Sequence, residues 1–132
     1  MHALIIEDQF LISSLVEELL RDLGYESVEV ACSERAAIQA ANDRCPDLIT
    51  ADNRLADGSG IKAVQEICHE RVIPVVFIVG DSEDVVEAIP EAVVVNKPFL
   101  CDELTIAVAE ARLRARRKPR HNASEPALEP AE

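Results

Sequence analysis

The chain has 132 residues, the length of one domain able to bury roughly two thirds of its unfolded surface; 48% are apolar and 29% charged, which excludes a disordered or fibrous polypeptide. No apolar run nears the roughly 20 residues that cross a bilayer, and the start MHALIIEDQF lacks the features of a secretory signal, so a cytoplasmic place with no membrane partner is expected. The net charge is −12, and residues 1 to 111 carry 22 acids against 7 basic residues, an acidic body that argues against general binding to nucleic acid.

The first element predicted is a buried strand over Ala3 to Ile6, an apolar run stopped by two acids. Leu11, Leu15, Leu19 and Leu23, with Ile12, Val16 and Leu20 beside them, repeat every three or four residues and predict one buried face of a helix. Gly24 ends it. Further strands are predicted at Val28 to Ala31, Leu48 to Ala51, Val75 to Val79 and Val93 to Val95. Between them, Ser33 caps a helix running to about Arg44, Gly60 precedes one carrying Ile61, Val64 and Ile67, and Asp81 or Ser82 caps a short one to about Ile89. The last helix starts soon after Pro98 and places Leu104, Val108, Ala111 and Ala115 on its inner face.

Strands that are almost continuous β-branched runs, alternating with helices, imply a parallel sheet covered on both faces. The fold class is therefore α/β, doubly wound and five-stranded, over residues 1 to 117. Residues 118 to 132 hold three prolines and few large apolar groups, the composition of a disordered tail. Cys32, Cys45, Cys68 and Cys101 show no CxxC spacing, which argues against a zinc site or disulfide framework and for reduced, mostly buried thiols. Arg112, Arg114, Arg116, Arg117, Lys118 and Arg120 crowd the end of the last helix. They complement its dipole, or they meet an acidic partner or a second copy.

In an open parallel sheet, ligands bind beyond the carboxyl ends of the strands. The residues there are Glu7 and Asp8 after the first strand, Asp52 after the third, Val79 and Gly80 at the fourth, and Lys97 after the fifth. Three crowded carboxylates call for a cation, and hard oxygen ligands suit Mg²⁺. With a lysine beside them, such a site can stabilise a phosphoryl group passing onto a carboxylate, because that transfer depends on positioning and charge neutralisation. Asp52 is the expected nucleophile.

The segments LIIEDQ, PDLITADNRLADGSGIKAV, PVVFIVG and VVVNKPF resemble, in order and spacing, the signature segments of response-regulator receiver domains of two-component systems. RLADGSGI and FIVG are also similar to single-domain and stress-response receivers of alphaproteobacteria. The resemblance implies the flavodoxin-like receiver fold with strand order 2-1-3-4-5. It implies Asp52 as phosphoacceptor, Asp8 as a direct Mg²⁺ ligand, Glu7 holding metal-bound water and the Arg54 backbone carbonyl as a further ligand. Lys97 would pair with the phosphoryl group, and Pro98 would follow it through a cis bond. A histidine kinase or histidine phosphotransferase would be the donor. No DNA-binding output domain follows in this sequence, so a stand-alone receiver acting on another protein is expected. It would be no enzyme beyond assisting its own phosphorylation and dephosphorylation.

Two positions depart from the receiver pattern. Val79 stands where a Thr or Ser hydroxyl usually bonds a phosphoryl oxygen, and Val94 stands where an aromatic ring often swings. The lost hydrogen bond is worth about 1.5 to 3 kcal/mol, and the Gly80 backbone N–H is a candidate substitute. The state would then be signalled through the loop and short helix from Gly80 to Glu91. Arg54 and Asp81 occupy positions that flank the path of the hydrolytic water in this family, so an ion pair between them and slow self-dephosphorylation are expected. A pseudo-receiver, an interaction module working without phosphate, is the alternative that Val79 and Val94 favour. A haloacid-type hydrolase fits less well, because Arg54 stands where that chemistry usually needs a second acid.

Overall fold

The computed structural model describes residues 1–118. Five parallel strands form one sheet in the order β2-β1-β3-β4-β5: β1 His2–Ile6, β2 Ser27–Ala31, β3 Leu48–Ala51, β4 Val75–Val79 and β5 Val93–Asn96. The helices are α1 Phe10–Asp22, α2 Glu34–Asp43, α3 Gly60–Ile67, α4 Glu83–Ala88 and α5 Cys101–Arg117. The expected doubly wound architecture and strand order are therefore those observed. The tail proposed for residues 118 to 132 lies, beyond Lys118, outside the described residues.

Side chains alternate across a strand, and here the alternation sorts the core into two halves. Leu4 and Ile6 of β1, Ile49 and Ala51 of β3, and Phe77 and Val79 of β4 pack with α2, α3 and Val85 of α4. Ala3 and Ile5, Leu48, and Val76 and Ile78 pack on the other face with Val16 and Leu20 of α1 and Leu104, Ala107, Val108 and Ala111 of α5. The central strands β1, β3 and β4 are thus covered on both sides. Edge strand β2 leaves Glu29 and Val30 exposed.

Local chemistry sets the helix ends. Ser33 Oγ accepts the Ala36 N–H at 3.1 Å and Ser59 Oγ the Lys62 N–H at 3.2 Å, so each serine satisfies a donor left open by the first turn. Gly60, expected just before α3, is its first residue. At the end of α1, Gly24 takes φ +103°, and the N–H groups of Gly24 and Tyr25 donate to the carbonyls of Arg21 and Leu20, a Schellman ending that a side chain would strain. Asp81 Oδ1 accepts the Glu83 N–H at 3.0 Å and so serves the start of α4, while Ser82 makes no side-chain cap bond.

Three local expectations need correction. The buried stripe of α1 is Ser13, Val16 and Leu20, whereas Leu11 is 80% exposed and Leu15 41%; the helix carries more leucines than the sheet can cover. The thiols are free, as expected, but Cys32, Cys45 and Cys101 are exposed and Cys68 only half-buried, because each lies at an element end rather than in a packed stripe. Ala115 is half-buried, since α5 runs past the last layer of the core. Arg114, Arg116 and Arg117 occupy the last turn of α5, where cations complement the dipole. Among the described residues no helix is long and apolar enough to cross a membrane.

Candidate functional site

The site lies at the carboxyl edge of the sheet, where β1, β3 and β5 end on adjoining polar residues. Ladder bonds fix the starting points: the Glu7 N–H donates to Ala31 O at 3.0 Å, Asp52 N–H to Ile6 O at 2.9 Å, and Lys97 N–H to Val79 O at 2.7 Å. These side chains are therefore aimed by the sheet rather than by loops. Lys97 Nζ donates to Asp52 Oδ2 at 3.1 Å and to Glu7 Oε1 at 3.3 Å, joining residues 45 and 90 positions away along the chain. The Lys97–Pro98 bond is cis, as the resemblance implied.

Carboxylate oxygens of Glu7, Asp8 and Asp52 lie within 4.8 Å of one another. Glu7 is 3% exposed, and Asp8 and Asp52 are half-buried. Burial raises the Glu7 pKa above its ordinary value, and the Asp52 charge adds to the rise; the Gln9 N–H, bonded to Oε2 at 3.1 Å, and Lys97 oppose it. One lysine cannot balance three carboxylates at neutral pH. A hard divalent cation with oxygen preference fits this donor set.

The loop after β3 builds the floor. The Gly60 N–H donates to Asn53 O at 2.8 Å, and a Cβ on Gly60 would stand 1.6 Å from the Asp52 carbonyl oxygen. Only glycine allows α3 to begin that close to the strand bearing Asp52. Asp8 Oδ2 accepts the Ala56 N–H of the same loop.

Val79 is 1% exposed and Val94 half-buried, both packed on the α2–α3 face. Neither offers a polar group to the pocket. A Cβ on Gly80 would meet nothing within 4 Å, so close approach does not demand glycine there. The ion pair expected between Arg54 and Asp81 is not the one observed: Arg54 Nη2 pairs with Asp84 Oδ2 at 3.4 Å, because Asp81 turns its carboxylate to the start of α4. Sequence reasoning also missed Asn53, whose Nδ2 donates to that same Asp84 oxygen at 3.4 Å. An acid in the first turn of a helix reads as a partner for the dipole, so nothing local marks Asp84.

The family model for the response regulator receiver domain matches residues 3–109, and the four strand-end segments fall within it. The chain belongs to the response regulator receiver domain family. This receiver domain is 35% identical over 127 residues to the phyllosphere-induced regulator PhyR of Methylorubrum extorquens, covering 91% of this chain and 48% of that protein. It is 35% identical over 117 residues to the transcriptional regulatory protein PdtaR of Mycobacterium tuberculosis, covering 86% of this chain and 57% of that one. It thus spans about half the length of the curated relatives it matches. Among solved structures, the receiver domain of the Erythrobacter litoralis response regulator PhyR is similar with a TM-score of 0.77 at 32% identity, covering 89% of this chain and 93% of that one.

Proposed function

We propose that this receiver domain accepts a phosphoryl group on Asp52 from a histidine kinase or histidine phosphotransferase of a cytoplasmic phosphorelay. The observation that carries the reading is the Lys97 ammonium held 3.1 Å from Asp52 and 3.3 Å from Glu7 in a pocket with a third carboxylate. An Asp52 oxygen attacks phosphorus, the phosphorus–nitrogen bond to the donor imidazole breaks, and the nitrogen leaves with the bonding pair. Lys97 meets the charge on the phosphoryl oxygens. Asp8, Asp52, Glu7 and the Arg54 carbonyl would hold Mg²⁺, which supplies further neutralisation of those oxygens. The protein is a signalling substrate rather than an enzyme, assisting only its own gain and loss of phosphate, and its output is contact with a downstream protein.

A second reading, a phosphate-independent interaction module, is favoured by the apolar packing of Val79 and Val94. The two readings separate on one measurement. Incubation with acetyl phosphate and Mg²⁺, followed by intact mass, is expected to add one phosphoryl group to the parent and none to Asp52→Asn. No gain with acetyl phosphate or with a histidine kinase leaves the interaction module.

A further inference from the structure

Asp84, in the first turn of α4, reaches back to the loop that follows Asp52. Its Oδ2 accepts from Asn53 Nδ2 and from Arg54 Nη2, each at 3.4 Å. Charge-assisted bonds of this type usually close to about 2.7 to 2.9 Å, so both are long. The Arg54 side chain is 82% exposed and that of Asp84 52%, which leaves the pair open to water. A stronger anion nearby can displace it. Two residues of extended chain span at most about 7 Å, and the arginine side chain is of comparable length, so the guanidinium that faces Asp84 can also reach a group on Asp52. Helix α4 has six residues and one buried side chain, Val85, and at its first turn the bonds to Asp84 join the Glu83 N–H bond to Asp81 Oδ1 and the Val86 N–H bond to Ser82 O.

Resting on the proposed phosphorylation of Asp52, we infer that Asp84 is a positioning residue for Arg54. It holds the guanidinium aside in the unphosphorylated protein and yields it to the phosphoryl group afterwards. An aspartyl phosphate carries about two negative charges where the carboxylate carried one. Arg54 then takes the role that Val79 cannot fill, and the released Asp84 frees the start of α4. The acceptor and α4 are linked without a hydroxyl or an aromatic ring.

The link is read in the rate of phosphate loss. Hydrolysis joins a water oxygen to phosphorus, breaks the bond from phosphorus to the Asp52 oxygen and releases inorganic phosphate, the water protons passing to phosphate and solvent. A guanidinium lying across the phosphoryl oxygens obstructs that water. The full chain is loaded with acetyl phosphate and Mg²⁺, the donor is removed, and intact mass is followed in the parent, Asp84→Asn, Arg54→Ala and the double variant. Asp84→Asn removes the competitor and is expected to lengthen the half-life about two- to fivefold, the scale of one exposed ion pair. Arg54→Ala shortens it by at least as much, and Arg54→Lys restores part of the loss. In the Arg54→Ala background Asp84→Asn has no further effect. A merely structural Asp84 would shift both backgrounds equally, and that result overturns the inference while the acceptor reading stands. Failure of the parent to gain phosphate from acetyl phosphate or from a histidine kinase overturns both.

Discussion

At the ends of β1, β3 and β5, backbone ladder bonds aim buried Glu7 and half-buried Asp52 and Lys97 into one cluster, with side-chain bonds of 3.1 and 3.3 Å. At the neighbouring corner made by β4 and α4, the helix has six residues, and the polar ties to Asp84 are 3.4 Å long and half in water. The two regions share an edge of the sheet but not a degree of definition. Glu7 and Asp52 follow central strands and Lys97 follows edge strand β5, each fixed by a backbone bond to the neighbouring strand. The corner that would report the transfer is held by few contacts, as an element that shifts between two arrangements has to be.

The largest break in that contrast should come from Gly60. A Cβ there would fall 1.6 Å from the Asp52 carbonyl oxygen, so Gly60→Ala must push α3 or the end of β3 aside. Urea unfolding is expected to show a loss of about 4 kcal/mol, in the range reserved for clashes that the backbone itself must absorb. Phosphoryl uptake from acetyl phosphate should fall with it. A loss below about 1 kcal/mol would show that the floor of the site is as pliable as the β4–α4 corner.

Val79→Thr sharpens the comparison from the other side. Val79 is packed among Ile6, Phe77 and Val85, where a hydroxyl has to find a partner. In the unphosphorylated protein the change is expected to reduce stability by about 1 to 2 kcal/mol in urea unfolding. A phosphoryl group on Asp52 would offer the hydroxyl an acceptor, so part of the loss should be recovered with acetyl phosphate and Mg²⁺. The same loss with and without the donor would mean that this corner does not sense the acceptor through β4.

Much of the central region was legible in the sequence because its information is local. Each core strand is its own short apolar run, and Glu7, Asp8, Asp52 and Lys97 stand within two residues of the end of such a run, so a topology rule about strand ends suffices to collect them. Gly24 and Ser33 likewise carry their turn and cap chemistry in their own side chains or lack of one. The α1 stripe was misplaced because periodicity gives the width of an apolar face but not how much of it the sheet covers; Leu11 and Leu15 belong to the pattern and stay exposed. The bonds of Asp84 to Asn53 and Arg54 span 31 and 30 positions of sequence. No residue spacing encodes such a contact, and exposed acids beside a helix start are too common to single one out.

The smallest effect tests whether the defined region is stable on its own or only in company. In the native protein Glu7 holds its proton more tightly than in the unfolded chain, because burial, aided by the Asp52 charge, outweighs the Gln9 N–H and Lys97. From the ordinary carboxylate pKa upward, the folded state therefore binds more protons than the unfolded one, and stability falls as pH rises through that window. Below it both states are protonated and the full stability is present. Glu7→Gln has no proton to lose there. Urea unfolding in a chelator should show the parent losing stability relative to Glu7→Gln as pH rises above the ordinary carboxylate pKa. Added Mg²⁺ favours the ionised carboxylates, so the difference should shrink at the upper pH. Equal slopes for the two proteins would mean that Lys97 alone balances the buried acid, and that the cluster has less need of a second cation than its three carboxylates imply.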